Sequence, residues 1–127
     1  MANGLNVMVA DDEKPMAEII SAVVEQMGHS ADIVHDGENA LVRIKETPDH
    51  YQILITDHAM IRMNGLKLVE NLKQTAFRGK ILVVTGYWTL QLEDSYHSLG
   101  VTTILRKPFK IDDLRAAVRV MASGYAK

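Results

Sequence analysis

Tyr51-Gln52-Ile53-Leu54-Ile55-Thr56-Asp57 is a short apolar run, rich in β-branched residues, that stops at a carboxylate. Such a run reads as a strand buried on both faces, the kind found at the centre of a parallel sheet. The acid at its C-terminal end then lies at the edge of the core, where open α/β sheets place their chemistry. A strand-terminal aspartate on its own is more often a turn or helix-cap residue. Three other apolar runs, however, end in residues suited to the same edge. Val7-Met8-Val9-Ala10 precedes Asp11-Asp12, Ile81-Leu82-Val83-Val84 precedes Thr85-Gly86, and Thr103-Ile104-Leu105-Arg106 precedes Lys107-Pro108.

Working outward, each strand signal is followed by a helical one. Residues 5–10 form the first strand, and Asp11-Asp12-Glu13-Lys14 its exit loop. Pro15 suits the first turn of a helix, Ile19, Ile20, Val23, Val24 and Met27 follow at helical spacing, and Gly28 is placed to end it. Residues 30–34 are a short second strand closed by Asp36-Gly37. Ala40, Leu41 and Ile44 mark a second helix that Pro48 terminates. After Asp57, residues 58–65 read as a loop, and Leu66, Val69 and Leu72 as the inner face of a third helix. A fourth holds Leu92, Tyr96 and Leu99 before Gly100, and residues 101–106 are the last strand. Asp112 or Asp113 favours the N-terminus of a final helix. Its stripe is Ile111, Leu114, Val118 and Met121, and Gly124 follows its last turn. Strict β-then-α alternation demands parallel pairing with right-handed crossovers and helices on both faces. The expectation is a single domain, 1–127, with a doubly wound five-stranded parallel sheet. The natural topology is the flavodoxin-like (βα)5 order 2-1-3-4-5, which sets the first strand beside the third and brings Asp11, Asp12 and Asp57 to one edge.

Composition bounds the function. The 127 residues are 47% hydrophobic and 24% charged with a formal net charge of −2, an ordinary globular balance that forces no basic face for nucleic acid. The absence of cysteine excludes disulfides, thiolate catalysis and Cys-ligated metal, and fits a reducing compartment. Met1-Ala2-Asn3-Gly4 has neither the basic region nor the apolar stretch of a signal peptide, and no run approaches the ~20 apolar residues of a membrane span. The expected location is cytoplasmic, with no membrane partner. The five histidines show no i, i+3 or i, i+4 pairing that would suggest a transition-metal site.

Three carboxylates brought together repel one another by roughly 4 kcal/mol per pair at 4 Å and an effective dielectric near 20. The cluster therefore calls for protonation or a cation. Oxygen-only ligation by a few carboxylates, completed by water and phosphate, describes Mg²⁺ better than zinc. A plainer alternative is that Asp11, Asp12 and Glu13 simply cap the first helix. Lys107 is the positive group at the same edge, a compact ammonium on a flexible stem suited to a phosphoryl oxygen or a carboxylate. Pro108 restricts its backbone to extended geometry and permits a cis bond that would aim the side chain inward. Thr85 offers a hydroxyl, and Gly86 a close backbone approach.

Asp11-Asp12-Glu13, Asp57 with Met60 three residues on and Gly65 eight on, Thr85-Gly86 and Lys107-Pro108-Phe109 together resemble the receiver domain of two-component response regulators, over essentially the whole chain. The resemblance implies that Asp57 is the phosphoacceptor. It implies that Asp12 ligates Mg²⁺ directly, Asp11 mainly through water, and Ala59 through its backbone carbonyl. Thr85 would swing toward the phosphoryl group and Lys107 would pair with it. The implied partners are a histidine kinase or histidine phosphotransfer domain and an output protein or tethered output domain, with the receiver a monomer or a phosphorylation-dependent dimer. Catalysis would be limited to its own phosphorylation and slow dephosphorylation. The chain departs from the family at Ile61, where Pro usually follows the Met, and at Ile104, where an aromatic switch residue is common. It also carries Tyr87-Trp88 after Thr85-Gly86, an aromatic pair that marks a partner contact if exposed.

Other functions fit less well. A phosphatase using an aspartyl-phosphate would want an acid two residues beyond Asp57, where Ala59 stands. A flavin-binding module would want a Ser-, Thr- or Gly-rich phosphate loop after the first strand, where Asp11-Asp12-Glu13 would repel the phosphate. A degenerate receiver acting only as a docking module is the remaining alternative.

Overall fold

The computed structural model describes residues 4–125. Its strands are β1 (Asn6–Ala10), β2 (Ser30–Val34), β3 (Ile53–Thr56), β4 (Lys80–Thr85) and β5 (Thr103–Arg106). Between and after them lie α1 (Lys14–Gln26), α2 (Gly37–Glu46), α3 (Gly65–Leu72), α4 (Leu90–Ser98) and α5 (Ile111–Ser123). All strand pairs are parallel, in the order β2-β1-β3-β4-β5. This is the doubly wound, flavodoxin-like sheet expected from the alternation of elements.

The β3 run is apolar on both faces because the sheet divides two cores. Leu54 points into one with Ile44, Leu68, Leu72 and Tyr96, beneath α2, α3 and α4. Ile53 and Ile55 point into the other with Ile20, Val24, Leu114 and Val118, beneath α1 and α5. β1 and β4 repeat the division, Met8 and Val83 facing the first core and Val9 and Val84 the second. The register pairs Ala10 with Thr56 and Thr85 with Arg106. Bonds just past the strands continue it: Asp57 N–H donates to Ala10 O at 2.9 Å, and Lys107 N–H to Thr85 O at 2.9 Å. Asp11, Asp57, Thr85 and Lys107 are thereby delivered to one edge.

The helices differ from the expected stripes in detail. Ile19 is exposed while Ile20 is buried, since neighbours on a helix are separated by about 100° and α1 turns one narrow face to the sheet. In α3 the fully buried leucines are Leu68 and Leu72, with Leu66 half-buried. Ile111, the first residue of α5, is exposed. β5 starts at Thr103, with Val101 buried ahead of it. Gly28 ends α1 with φ +95°, a conformation that favours glycine. Among the described residues no helix is long and apolar enough to cross a membrane.

One loop contact carries a pH dependence. Leu5 N–H donates to His29 Nδ1 at 3.0 Å, a bond that needs the ring nitrogen unprotonated, and burial holds this imidazole below its usual 6.5. The unfolded chain therefore takes up the His29 proton at higher pH than the folded one. The His29 contribution to stability should be level above 6.5 and fall as pH drops through that value toward the lowered folded pKa. Urea midpoints at pH 7.5 and 5.5 are expected to differ less in His29→Gln than in the unaltered chain. Equal differences would count against the role of this histidine.

Candidate functional site

β3 runs out into Asp57 and β1 into Asp11 and Asp12, so adjacent parallel strands present three acids side by side. One carboxylate oxygen from each lies within 4.8 Å of the others. Asp11 and Asp57 are almost fully buried, at 1% and 6% exposure, whereas Asp12 is half-buried. Lys107 reaches into this group from the end of β5. Its Nζ donates to Asp11 Oδ2 and Asp57 Oδ2, each at 3.0 Å, and to Glu13 Oε1 at 3.3 Å. The Lys107–Pro108 peptide is cis.

The electrostatics follow from this arrangement. Burial pushes the Asp11 carboxyl up, while the Glu13 N–H at 2.9 Å and the Lys107 ammonium pull the other way. Burial disfavours the Lys107 ammonium, but its hydrogen bonds to Asp11 and Asp57 and their charges outweigh this and hold the group at about 12. Lys107 is thus a fixed cation. A single ammonium against this many carboxylates leaves net negative charge, and Asp12 has no ion-pair partner among the described residues. The donor set is oxygen only, which suits a hard divalent cation such as Mg²⁺. The acids are not side-chain caps of α1. The residue at the cap position is Glu13, which makes no side-chain cap bond there and turns to Lys107 instead.

An open cleft of about 520 Å³ lies over the acids, lined by Asp12, Glu13, Asp57, Ala59, Thr85, Gly86, Tyr87 and Lys107. Ala59 N–H donates to Asp57 Oδ1 at 3.3 Å. Thr85 is buried, and its Oγ1 accepts from Tyr87 N–H at 3.1 Å. Gly86 is not required for close packing, since a Cβ there would meet only Lys107 Cβ at 3.8 Å. Tyr87 is exposed, whereas Trp88 is half-buried beneath the Arg106 guanidinium, 4.7 Å from its ring centroid. Ile104 is half-buried against the core that contains Tyr96. In the loop after Ala59, Ile61 is exposed, and Arg62, at φ +69°, pairs with the buried Asp36 at 3.4 Å. That ion pair and the Gly65 N–H to His58 O bond at 2.8 Å hold a loop that lacks the customary proline.

Sequence reasoning missed one pair in the site. His58 directly follows Asp57, and its Nδ1 lies 2.8 Å from the Tyr96 hydroxyl on α4. Its ring also stacks on Tyr87, centroids 5.7 Å apart and planes 15° from parallel. Burial, with the Asp57 charge behind it, pushes the Tyr96 phenol up, and burial lowers the His58 imidazole, so both are neutral near pH 7. The available signal was a polar ring placed directly after the candidate nucleophile. Tyr96 read only as a member of an apolar stripe.

A family model described as the response regulator receiver domain matches residues 7–119. Curated relatives include the transcriptional regulatory protein DltR of Streptococcus agalactiae, 26% identical over 116 residues, covering 91% of this chain and 51% of the relative. They also include the response regulator MprA of Mycobacterium tuberculosis, 28% identical over 117 residues, covering 92% and 50%. The chain spans about half the length of these relatives. The fold is similar to that of the Francisella response regulator 1452 receiver domain, with TM-score 0.86, 24% identity and coverage of 97% and 100% of the two chains. It is likewise similar to that of a CheY-like receiver domain protein from Methanospirillum hungatei, with TM-score 0.89, 19% identity and coverage of 96% of each chain.

Proposed function

The chain belongs to the response regulator receiver domain family, and we propose that it acts in two-component or phosphorelay signalling by accepting a phosphoryl group on Asp57. The observation that carries this reading is Lys107 Nζ set 3.0 Å from both Asp57 and Asp11 inside a cluster of three carboxylates. One Asp57 carboxylate oxygen attacks the phosphorus of a phosphohistidine on a kinase or phosphotransfer domain. An O–P bond forms, the N–P bond breaks, and the departing imidazole keeps the electron pair and takes a proton from solvent. Lys107, already within hydrogen-bond reach of Asp57, pairs with an oxygen of the arriving group. Thr85, at the end of the neighbouring strand, supplies a hydroxyl to another. Asp12, Asp11, Asp57 and the backbone carbonyl of Ala59 are the groups that would hold Mg²⁺, which when bound neutralises charge on the phosphoryl oxygens.

The partners on this reading are a histidine kinase or histidine phosphotransfer domain upstream and an output protein or tethered output domain downstream. The greater length of the curated relatives supports the tethered form. The receiver is a monomer or dimerises on phosphorylation, with Tyr87 and Trp88 in the partner-contacting region. Incubation with acetyl phosphate and Mg²⁺ should add one phosphoryl group by intact mass, and Asp57→Asn should add none. No gain in the unaltered chain would leave a docking module without phosphoryl chemistry.

The lifetime of the phosphoryl group follows from the cleft lining. Ala59 has no side-chain group to orient an attacking water, and the exposed Tyr87 lines the cleft. Self-hydrolysis should therefore be slow for a receiver. Ala59→Asn combined with Tyr87→Ala should accelerate phosphate release from the purified phosphoprotein by about tenfold, the scale of ~1.4 kcal/mol in the barrier. An unchanged release rate would remove these two positions from control of the reaction.

A further inference from the structure

Ile104 has neither ring nor hydroxyl, so it cannot report the state of the site as an aromatic residue would. Another polar connection runs from the phosphoacceptor to α4. That helix is thinly anchored: Tyr96 is its one buried residue, with Leu92 and Leu99 only partly buried against the core. The Tyr96 hydroxyl sits in a slot formed where Gly65 lacks a side chain, since a Cβ there would lie 2.6 Å from it. Its hydrogen-bond partner is His58, joined covalently to Asp57 and fixed through its backbone carbonyl to Gly65 N–H. From the other side, Thr85 Oγ1 holds the Tyr87 N–H, and the Tyr87 ring lies on His58. A contiguous chain of contacts thus runs from Thr85 through Tyr87 to His58, and from His58 through Tyr96 to α4.

We propose that His58 is a positioning residue that passes the state of Asp57 to α4 through its hydrogen bond to Tyr96, in place of an aromatic side chain at position 104. This rests on Asp57 being the phosphoacceptor. A phosphoryl group can shift α4 only by contacts that differ between the empty and occupied site. The contacts available are those of Thr85 and Lys107, and Thr85 is the one linked through Tyr87 to His58. Spatial continuity alone does not establish coupling, so the measurement must compare the two states of the site.

Amide hydrogen exchange across residues 90–99 and emission of Trp88, the one tryptophan of the chain, should be followed with and without beryllofluoride and Mg²⁺. Binding of the mimic should be read separately by fluorine NMR. In the unaltered chain the mimic is expected to change α4 exchange by about tenfold (~1.4 kcal/mol) and to alter Trp88 emission. Tyr96→Phe keeps the ring and removes only the hydroxyl. It should still bind the mimic, yet show α4 exchange within about twofold in the two states (~0.4 kcal/mol) and little change in Trp88 emission. His58→Ala should behave likewise. His58→Asn, which can place an amide atom near the Nδ1 position, should restore part of the response, and Ile104→Val should retain it. If Tyr96→Phe raises α4 exchange equally with and without the mimic, the bond is merely structural and the proposal is overturned. A full response in Tyr96→Phe, an equal loss in Ile104→Val, or a wild-type α4 indifferent to bound mimic also overturns it. Failure of the unaltered chain to bind the mimic instead removes the phosphoacceptor reading beneath it.

Discussion

Asp12→Asn is expected to raise the thermal midpoint in chelator and to remove most of the Mg²⁺-dependent gain that the unaltered chain shows. The three clustered carboxylates are not equivalent. Lys107 bonds directly to Asp11 and Asp57, and Asp12 has no ion pair among the described residues. Removing the Asp12 charge therefore relieves repulsion without depriving the buried ammonium of a partner. Asp11→Asn and Asp57→Asn each take a partner from Lys107, whose side chain is only 12% exposed, so their apo gain should be smaller or absent. Two bare charges at 4 Å would repel by roughly 4 kcal/mol at an effective dielectric of 20. Lys107 and the solvent at half-buried Asp12 reduce this to on the order of 1 kcal/mol, or about 4 °C for a domain of this size. With Mg²⁺ at about 100 times its dissociation constant, binding to the folded state adds roughly 2.7 kcal/mol. Melts in chelator and in excess Mg²⁺ separate the two effects. An Asp12→Asn protein with the full wild-type Mg²⁺ gain would contradict a ligand role for Asp12.

The strands and the edge at which they end were legible because each rests on local pattern. A run buried on both faces has no polar position to spare, as in residues 53–55, and parallel pairing then brings Asp57 beside Asp11. The helix faces were less legible. Ile19 and Ile20 are chemically alike, and only the placement of α1 on the sheet decides that Ile20 is inside. Leu66 and Leu68 pose the same problem in α3. The site divides in the same way. Asp11, Asp12, Asp57, Thr85 and Lys107 stand out as polar residues at the ends of apolar runs. The bond between His58 and Tyr96 joins residues 38 apart in the chain and leaves no periodic trace. Glu13 is a further case. Its place beside a helix start suggested capping, and its partner proved to be Lys107, far along the chain. Gly86 lines the cleft, and a Cβ there would meet only Lys107 Cβ at 3.8 Å.

Gly65 carries the second large effect, and here two principles compete. It is the first residue of α3, with no positive φ, and alanine is the better helix former by up to about 1 kcal/mol. Propensity alone thus gives Gly65→Ala a stabilising sign. The surroundings reverse it: an added Cβ would lie 2.5 Å from the Asp57 carbonyl oxygen, 2.6 Å from the Tyr96 hydroxyl and 3.0 Å from His58 Cα. Two of these are backbone atoms at the end of β3, and the third belongs to a fully buried ring, so none can yield as the tip of a flexible side chain would. Overpacking of this kind costs about 1–3 kcal/mol, and displacement of α3 would also stretch the Gly65 N–H to His58 O bond. The expected net loss is about 2–3 kcal/mol in urea unfolding. Gly86→Ala, with ordinary contact at 3.8 Å, should remain within about 0.5 kcal/mol of wild type. Tyr96→Phe in the Gly65→Ala background should recover only part of the loss, since it removes the hydroxyl clash and leaves the one with the Asp57 carbonyl. Because that carbonyl belongs to the proposed nucleophile, Gly65→Ala should also slow acetyl phosphate labelling under conditions where the variant is folded. A Gly65→Ala protein as stable as Gly86→Ala would show that the β3–α3 loop gives way freely. The close approach of α3 to Asp57 would then not be what fixes the carboxylate.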